Sequence, residues 1–474
     1  MQYIQSHILF ICIVIYIGIT VLIGVLTSRL VKNSEDFVLA GRKLPLFLCI
    51  SALFAEWFGA ETVLGSSSQF AEKGLYGVIE EPFGAALCLL LIGIFFARPF
   101  YRMKLLTFCD FYRIKFGRSA ELLSGFLMVP SYLGWIAAQL VALGIMFNIV
   151  MGVPLIAGII ISASIVLIYT YIGGMWAISV TDFIQTIIII IGLVFLGVEI
   201  VNAAGGLTSV YQQTPDGFFK FFPDPKPLDI LEYIAAWITI GLGSIPQQDV
   251  FQRVMSANSE KNAVRALSIG AVLYLSIAFL PLLIALCGKI LYPEILKEGE
   301  QLIPTLVLKH TSVFMQVLFF GALISAILST ASGAILAPAT VMAENLIKPL
   351  RKKTMTDKEM LRMLRLSVIV VTILATAMAT SRSDIYELAG ESSALSLVSL
   401  FVPLVAGLYI KSANTLGAIL SMIMGLLAWI LSEWVFHTEV PPLIIGLTCS
   451  FGGMFLGMLL GGKNSTMVNE NNLV

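Results

Sequence analysis

Residues 46–70 read LFLCISALFAEWFGAETVLGSSSQF. An apolar helical run meets Glu56, Trp57, Phe58 and Gly59, then Glu61 and Thr62, then Gly65 and three serines. Residues 229–253 read DILEYIAAWITIGLGSIPQQDVFQR, where the run meets Gly241, Gly243, Ser244 and Pro246 before Gln247, Gln248 and Asp249. Glycine and proline free backbone groups from the helical ladder. In hydrocarbon each freed group costs several kcal/mol unless protein, water or an ion satisfies it, so such breaks survive where they line a cavity. The plainer alternative is that these glycines only let helices pack closely.

Hydrocarbon is the right solvent to assume. The 474 residues are 58% hydrophobic and 12% charged, with a mean hydropathy of +0.94. A soluble domain carries about 25% charged residues, so this composition indicates an all-α polytopic membrane protein whose partner is a lipid bilayer. Twenty-nine basic residues balance 29 acidic ones, which leaves no basic footprint for nucleic acid. Cysteines at 12, 49, 88, 109, 287 and 449 follow no metal or disulfide spacing, and the three histidines lie far apart. The N-terminal run has no basic flank and no small-residue cleavage signal, so 8–28 reads as a retained span.

A crossing helix needs about 20 mostly apolar residues. Thirteen segments qualify, roughly 8–28, 46–72, 76–97, 120–150, 155–173, 180–204, 229–252, 264–288, 312–347, 363–381, 384–409, 413–433 and 441–461. With the N-terminus outside and the C-terminus cytoplasmic, 22 of the 29 Lys and Arg fall on the inner side, as the positive-inside rule requires. The inner loop 348–362 is the most charged stretch and reads as a solvated loop that sets topology. Residues 1–461 then form one transmembrane domain, and 462–474 a short cytoplasmic tail. The short tail and compact loops suggest a bacterial inner membrane.

The two interrupted spans, second and seventh, are five apart, so they cross in opposite directions. That is the inverted-repeat pattern of transporters with a site near the midplane. Buried acids also point to cavities. Glu56 and Glu61 flank the first break, Glu80 and Glu81 follow the turn at Gly74, and Glu199, Glu232 and Glu387 sit near span ends and read as interfacial. The ninth span contains GALISAILSTASGAILAPAT. Its Ser329 and Ser332 share a helix face, or its hydroxyls simply bond back to their own helix.

These stretches carry a resemblance. GRKLP before the second span, AEWFGAETVLGSSSQFAEKGL across it, YTYIGGMWAISVTDFIQ from the fifth into the sixth, IPQQDVFQRV in the seventh and ISAILSTASG in the ninth resemble the sodium:solute symporter family. That family includes sodium/glucose cotransporters, proline symporters and high-affinity choline transporters, and the motifs lie nearest the choline branch. The resemblance covers about 8–461 and implies a core of two inverted five-helix repeats, about 46–204 and 229–409. It implies transport without enzymatic chemistry, with sodium co-transported. The main sodium site would use the carbonyls of Ala55, Phe58 and Ala326 and the hydroxyls of Ser329 and Thr330. Five neutral oxygens suit a hard cation that must also leave.

Some members hold a second sodium at an acid placed like Asp182, with Ser329 and Ser332 as partners; Gly333 stands where they have another serine. By position, the solute would meet Phe58, Thr62, Glu81, Gly84, Gly243, Ser244, Gln247 and residues near Tyr386. Gln247 and Gly243 replace aromatic residues of relatives, which weakens cation–π capture of a quaternary amine, and Thr62 replaces a sugar-binding amide. The expected solute is a small polar organic molecule, zwitterionic or amine-bearing in view of Glu56, Glu61 and Glu81. The rival readings are proton coupling through Glu56, Glu61 or Asp182, and a sensor that keeps the fold without turnover.

Overall fold

The computed structural model describes residues 2–351 and 355–461. Expectations for Lys352, Lys353, Lys463 and the tail 462–474 lie outside the described residues. Among the described residues, nine helices are long and apolar enough to cross a membrane, or up to eleven if each of two bent pairs is one span. The bent pairs are Leu46–Trp57 with Glu61–Lys73, and Pro227–Gly243 with Gln248–Ser256. Both interruptions expected from glycine, proline and charge are therefore real bends. The expected thirteen also includes the N-terminal helix Gln2–Thr27 and divides Leu155–Ala203 in two.

That division has a physical cause. Leu155–Ala203 holds 49 residues, about 70 Å if straight at about 1.5 Å per residue. Gly174 alone is non-helical, at φ 53° and ψ −154°. A Cβ there would stand 2.5 Å from the Phe37 carbonyl oxygen, so the turn needs glycine for both conformation and room. The second arm resumes at once instead of after the short loop expected over 174–179. Its Ile184, Ile187, Ile191, Val194 and Val198 are exposed, while Asp182, Gln185, Ile189, Leu193 and Leu196 are buried. The exposed stripe follows the helical repeat and suits lipid; the opposite face meets protein.

Val313–Val341 lies at the centre, buried over nearly its whole length from Phe319 onward. It packs on Leu155–Ala203, on Leu46–Trp57 and on Gln248–Ser256. The helices Leu46–Trp57 and Gln248–Ser256 of the two bent pairs are also tied to one another. Leu44 forms a parallel bridge with Ala257, its N–H donating to the Ser256 carbonyl at 3.0 Å and its carbonyl accepting from Asn258 at 2.9 Å. Short helices Ser34–Leu39 and Phe108–Phe116 fill the loops between spans. The second starts at a capping box of Thr107 and Asp110.

Candidate sodium and solute site

The bend in the second span is 54°. Trp57 ends the inner helix and Phe58 leaves it at φ −92°, ψ 66°. The freed backbone groups find partners from other helices. The Ala60 N–H donates to Gln139 Oε1 at 2.9 Å. The Trp57 carbonyl lies 3.1 Å from the Thr62 hydroxyl, and the Ala55 carbonyl accepts from the Thr330 hydroxyl at 2.9 Å. A Cβ on Gly59 would lie 2.7 Å from Glu61 Oε2 and 2.9 Å from Gln139 Oε1, so glycine admits this polar cluster. This break thus does more than ease packing: it delivers backbone groups to side chains of other helices in the buried interior.

The seventh span bends by 45°. Ser244 there meets Ser393 hydroxyl to hydroxyl at 3.0 Å. A Cβ on Gly243 would stand 2.4 Å from the Ser393 carbonyl oxygen, so this glycine sets the close approach of helix Ile385–Ser396.

Three of the five oxygens expected to hold sodium meet directly. Besides Ala55, the Thr330 hydroxyl reaches the Ala326 carbonyl at 3.2 Å. Ser329, next in the chain, donates to Asp182 Oδ1 at 2.5 Å. Phe58 and Ala326 line one small apolar cavity beside this cluster. Ser332 instead bonds back to the Ser329 carbonyl at 2.8 Å, as Ser325 and Thr340 do to their own helix. Asp182 therefore reaches Ser329 through a side-chain hydrogen bond, whereas the Ser332 hydroxyl is turned to its own backbone.

Sequence reasoning did not foresee the partner of Glu56. Glu56 and Arg253 form an ion pair with both side chains wholly buried. Arg253 also donates to the carbonyls of Ala52 at 3.0 Å and Asp249 at 3.2 Å. Tyr132 donates its hydroxyl to Asp249 Oδ1 and accepts the Asp249 N–H at 3.0 Å. Glu56 Oε1, Asp182 Oδ2 and Asp249 Oδ2 lack partners. Gly333 gains a reason here: a Cβ on it would stand 2.1 Å from Glu56 Oε2 and 2.5 Å from Arg253 Nη2. The place a serine would fill is taken by the Glu56 carboxylate.

Beside the bend lies a cavity of about 20 Å³, lined by Trp57, Glu61, Glu81, Trp135, Gln247 and Ser393 among others. That is room for about one water. Of the expected solute residues, Glu81, Ser244 and Gln247 line it. Thr62 stands behind Glu81, its hydroxyl 2.9 Å from Oε1 and able to donate there or to the Trp57 carbonyl. Phe58 faces the neighbouring apolar cavity, and Gly84 packs against the backbone at Trp237 and Gly241. Gly243 packs on Ser393, as above. Tyr386 lines a separate cavity with Glu298, Glu300, Asp384 and Glu387, and its ring covers Gly65. In that region the Tyr386 N–H donates to Glu300 Oε1 at 3.1 Å. Burial pushes the Glu300 carboxyl up to about 7, against the lowering effect of backbone donors at Tyr386 and Ile385. Trp57, Trp135 and Ser392 join the central cavity without having been named as solute contacts, and Glu61 joins it as an acid already tied to the solute's charge. Glu61 is gripped by Trp135 Nε1 at 3.2 Å and Gln139 Nε2 at 2.6 Å.

A family profile described as "Sodium:solute symporter family" matches residues 37–425. The chain belongs to the sodium:solute symporter family. It is 29% identical to the high-affinity choline transporter 1 of Drosophila melanogaster over 432 residues, 87% of this chain and 69% of that one. It is 28% identical to the high-affinity proline transporter PutP of Bacillus subtilis (strain 168), over 85% of this chain and 88% of that one. Its fold is that of a solved sodium-coupled sialic acid symporter, at a TM-score of 0.82 and 19% identity, covering 97% and 99% of the two chains. This sodium:solute symporter family member is an integral membrane protein and a solute transporter rather than an enzyme.

Proposed function

We propose that the protein is a sodium-coupled secondary active symporter that imports a small polar organic solute by alternating access. The observation that carries the reading is the Thr330 hydroxyl on the carbonyls of Ala55 and Ala326, where the broken second span meets the ninth. Sodium arriving from outside exchanges that hydrogen bond for coordination by Ala55, Phe58, Ala326, Ser329 and Thr330, and so fastens the two spans together. Asp182, with Ser329 and Ser332, is the proposed place of a second sodium. Solute binding beside Phe58, Thr62, Glu81, Gly84, Gly243, Ser244, Gln247 and Tyr386 follows, and a ligand shifts the equilibrium only by its differential affinity for the two states.

The driving force is sufficient. A tenfold sodium gradient supplies about 1.4 kcal/mol, and ~100 mV adds about 2.3 kcal/mol per charge. Together they support accumulation of roughly several-hundred-fold for one sodium. The reading keeps 1–461 as one transport domain with core repeats of about 46–204 and 229–409, set in a bacterial inner membrane with the N-terminus outside. The basic residues on the inner side of the chain support that orientation.

The test uses sodium itself as the probe. Sodium chloride should stabilise the purified protein against heat in a saturable way that potassium chloride does not. Ser329→Ala with Thr330→Ala removes two of five oxygens and should raise the half-saturating sodium concentration at least about tenfold, the equivalent of about 1.4 kcal/mol. An unchanged sodium response in the double variant would refute the assignment.

A further inference from the structure

The central cavity is built for positive charge. Glu61 and Glu81 both line it, at 4% and 2% exposure. None of its lining residues is Lys, Arg or His. Glu56, which sequence reasoning grouped with them, is turned to Arg253 and drops out of the solute's surroundings. Glu61 has a donor on each oxygen and stands as a fixed wall. Glu81 has the Thr62 hydroxyl beside Oε1, and Thr62 is itself steadied by the Tyr274 hydroxyl at 3.0 Å. Two carboxyl groups line this one cavity with no Lys, Arg or His among its lining residues, so a ligand with N–H donors and a positive charge would meet acceptors and no repelling cation there.

A second, independent observation describes the rest of that ligand. Trp57 lines the same cavity, is 5% exposed, and its Nε1–H has no acceptor. A buried indole N–H ordinarily finds a partner, and an oxygen on a ligand held beside Trp57 would supply one. Ser244, Ser393 and Gln247 add further hydrogen-bonding groups. The aromatic lining consists of Trp57 and Trp135, and the Trp135 N–H already serves Glu61. Two indoles do not enclose a quaternary ammonium, while two carboxylates and the hydroxyls reward N–H donors.

Resting on the symporter reading for the cavity's role, we propose that the solute is a small organic cation with N–H donors and one hydrogen-bond-accepting oxygen, of the amino-alcohol or amino-amide class. The ammonium is held by Glu81 against the wall formed by Glu61, and the oxygen accepts from Trp57. A solute bearing a carboxylate is rejected because its charge would be desolvated beside two others of the same sign.

The experiment measures thermal stabilisation of the purified protein in saturating sodium chloride by ethanolamine, ethylamine, choline, L-proline and glucose. Ethanolamine should stabilise most, ethylamine less, and proline and glucose not at all. Glu81→Gln should weaken the ethanolamine response at least about 30-fold, as removal of one partner from a buried charged contact does. Trp57→Phe should bring ethanolamine down to the level of ethylamine. Choline outranking ethanolamine would overturn the N–H assignment, and proline or glucose stabilising where amines do not would overturn the cation. Should Glu81→Gln fail to fold, the ranking of the five probes on the unaltered protein decides alone. A sodium response with all amines silent refutes this inference and leaves the symporter reading standing; an amine response without a sodium response does the reverse.

Discussion

Replacing Gly333 by alanine tests the buried ion pair through a substitution that adds one methyl group. A Cβ at 333 would lie 2.1 Å from Glu56 Oε2, 2.7 Å from Oε1 and 2.5 Å from Arg253 Nη2. Ordinary contact begins near 3.4 Å, so the carboxylate must retreat by about 1 Å. The retreat breaks its bond to Arg253. Disrupting a buried pair costs about 3–5 kcal/mol, and alanine's better helix propensity returns about 1. The net loss should be about 2–4 kcal/mol. Gly321→Ala on the same helix is the control, because nothing stands within 4 Å of its Cβ; it should stabilise by up to about 1 kcal/mol. Equilibrium unfolding in mixed micelles reads both. If the two variants shifted stability in the same direction by the same amount, the ion pair would not occupy the space assigned to it.

Gly174→Ala should lower the yield of folded protein more than any alanine placed elsewhere in 155–203, since φ 53° and the Phe37 carbonyl at 2.5 Å both oppose it; fluorescence-detected size exclusion measures this. Gln139→Leu strands the Ala60 N–H and one Glu61 oxygen, at about 1–3 kcal/mol each, and should abolish sodium-dependent stabilisation before it abolishes folding. Glu300 lies outside the spans, faces Asp384 and Glu387, and holds its proton up to about 7. Its folded form therefore binds more protons than the unfolded chain between about 4.5 and 7, so stability from this group falls as pH rises through that window. Glu300→Gln should flatten that part of the stability–pH curve, and a curve of unchanged slope would exclude Glu300 as its source.

The apolar helices and both breaks, though not the count of thirteen, were legible because each is a local property. Twenty apolar residues announce a crossing, and glycine or proline beside an acid announces an interruption. The pairing of Ser329 and Thr330 with the second span came from resemblance; in the structure the Thr330 hydroxyl reaches the Ala55 carbonyl, whereas Ser329 reaches Asp182. What stayed hidden depends on distance along the chain. Glu56 and Arg253 are 197 residues apart, and Glu61 and Gln139 are 78 apart; no periodicity relates them. Gly333 looked like a missing ligand because the residue filling its space belongs to another helix. Phe108–Phe116 escaped because a nine-residue interfacial helix with three charges resembles a loop in hydropathy.

The parallel bridge between Leu44 and Ala257 bears on how such a molecule can move. It joins the ends of two helices that the Glu56–Arg253 contact already clamps further along. A gate that parted those helices would have to unmake a dry ionic contact and two main-chain bonds together. A gate that carried them as one lever, pivoting where each chain is already unwound near 58–60 and 244–247, would unmake neither.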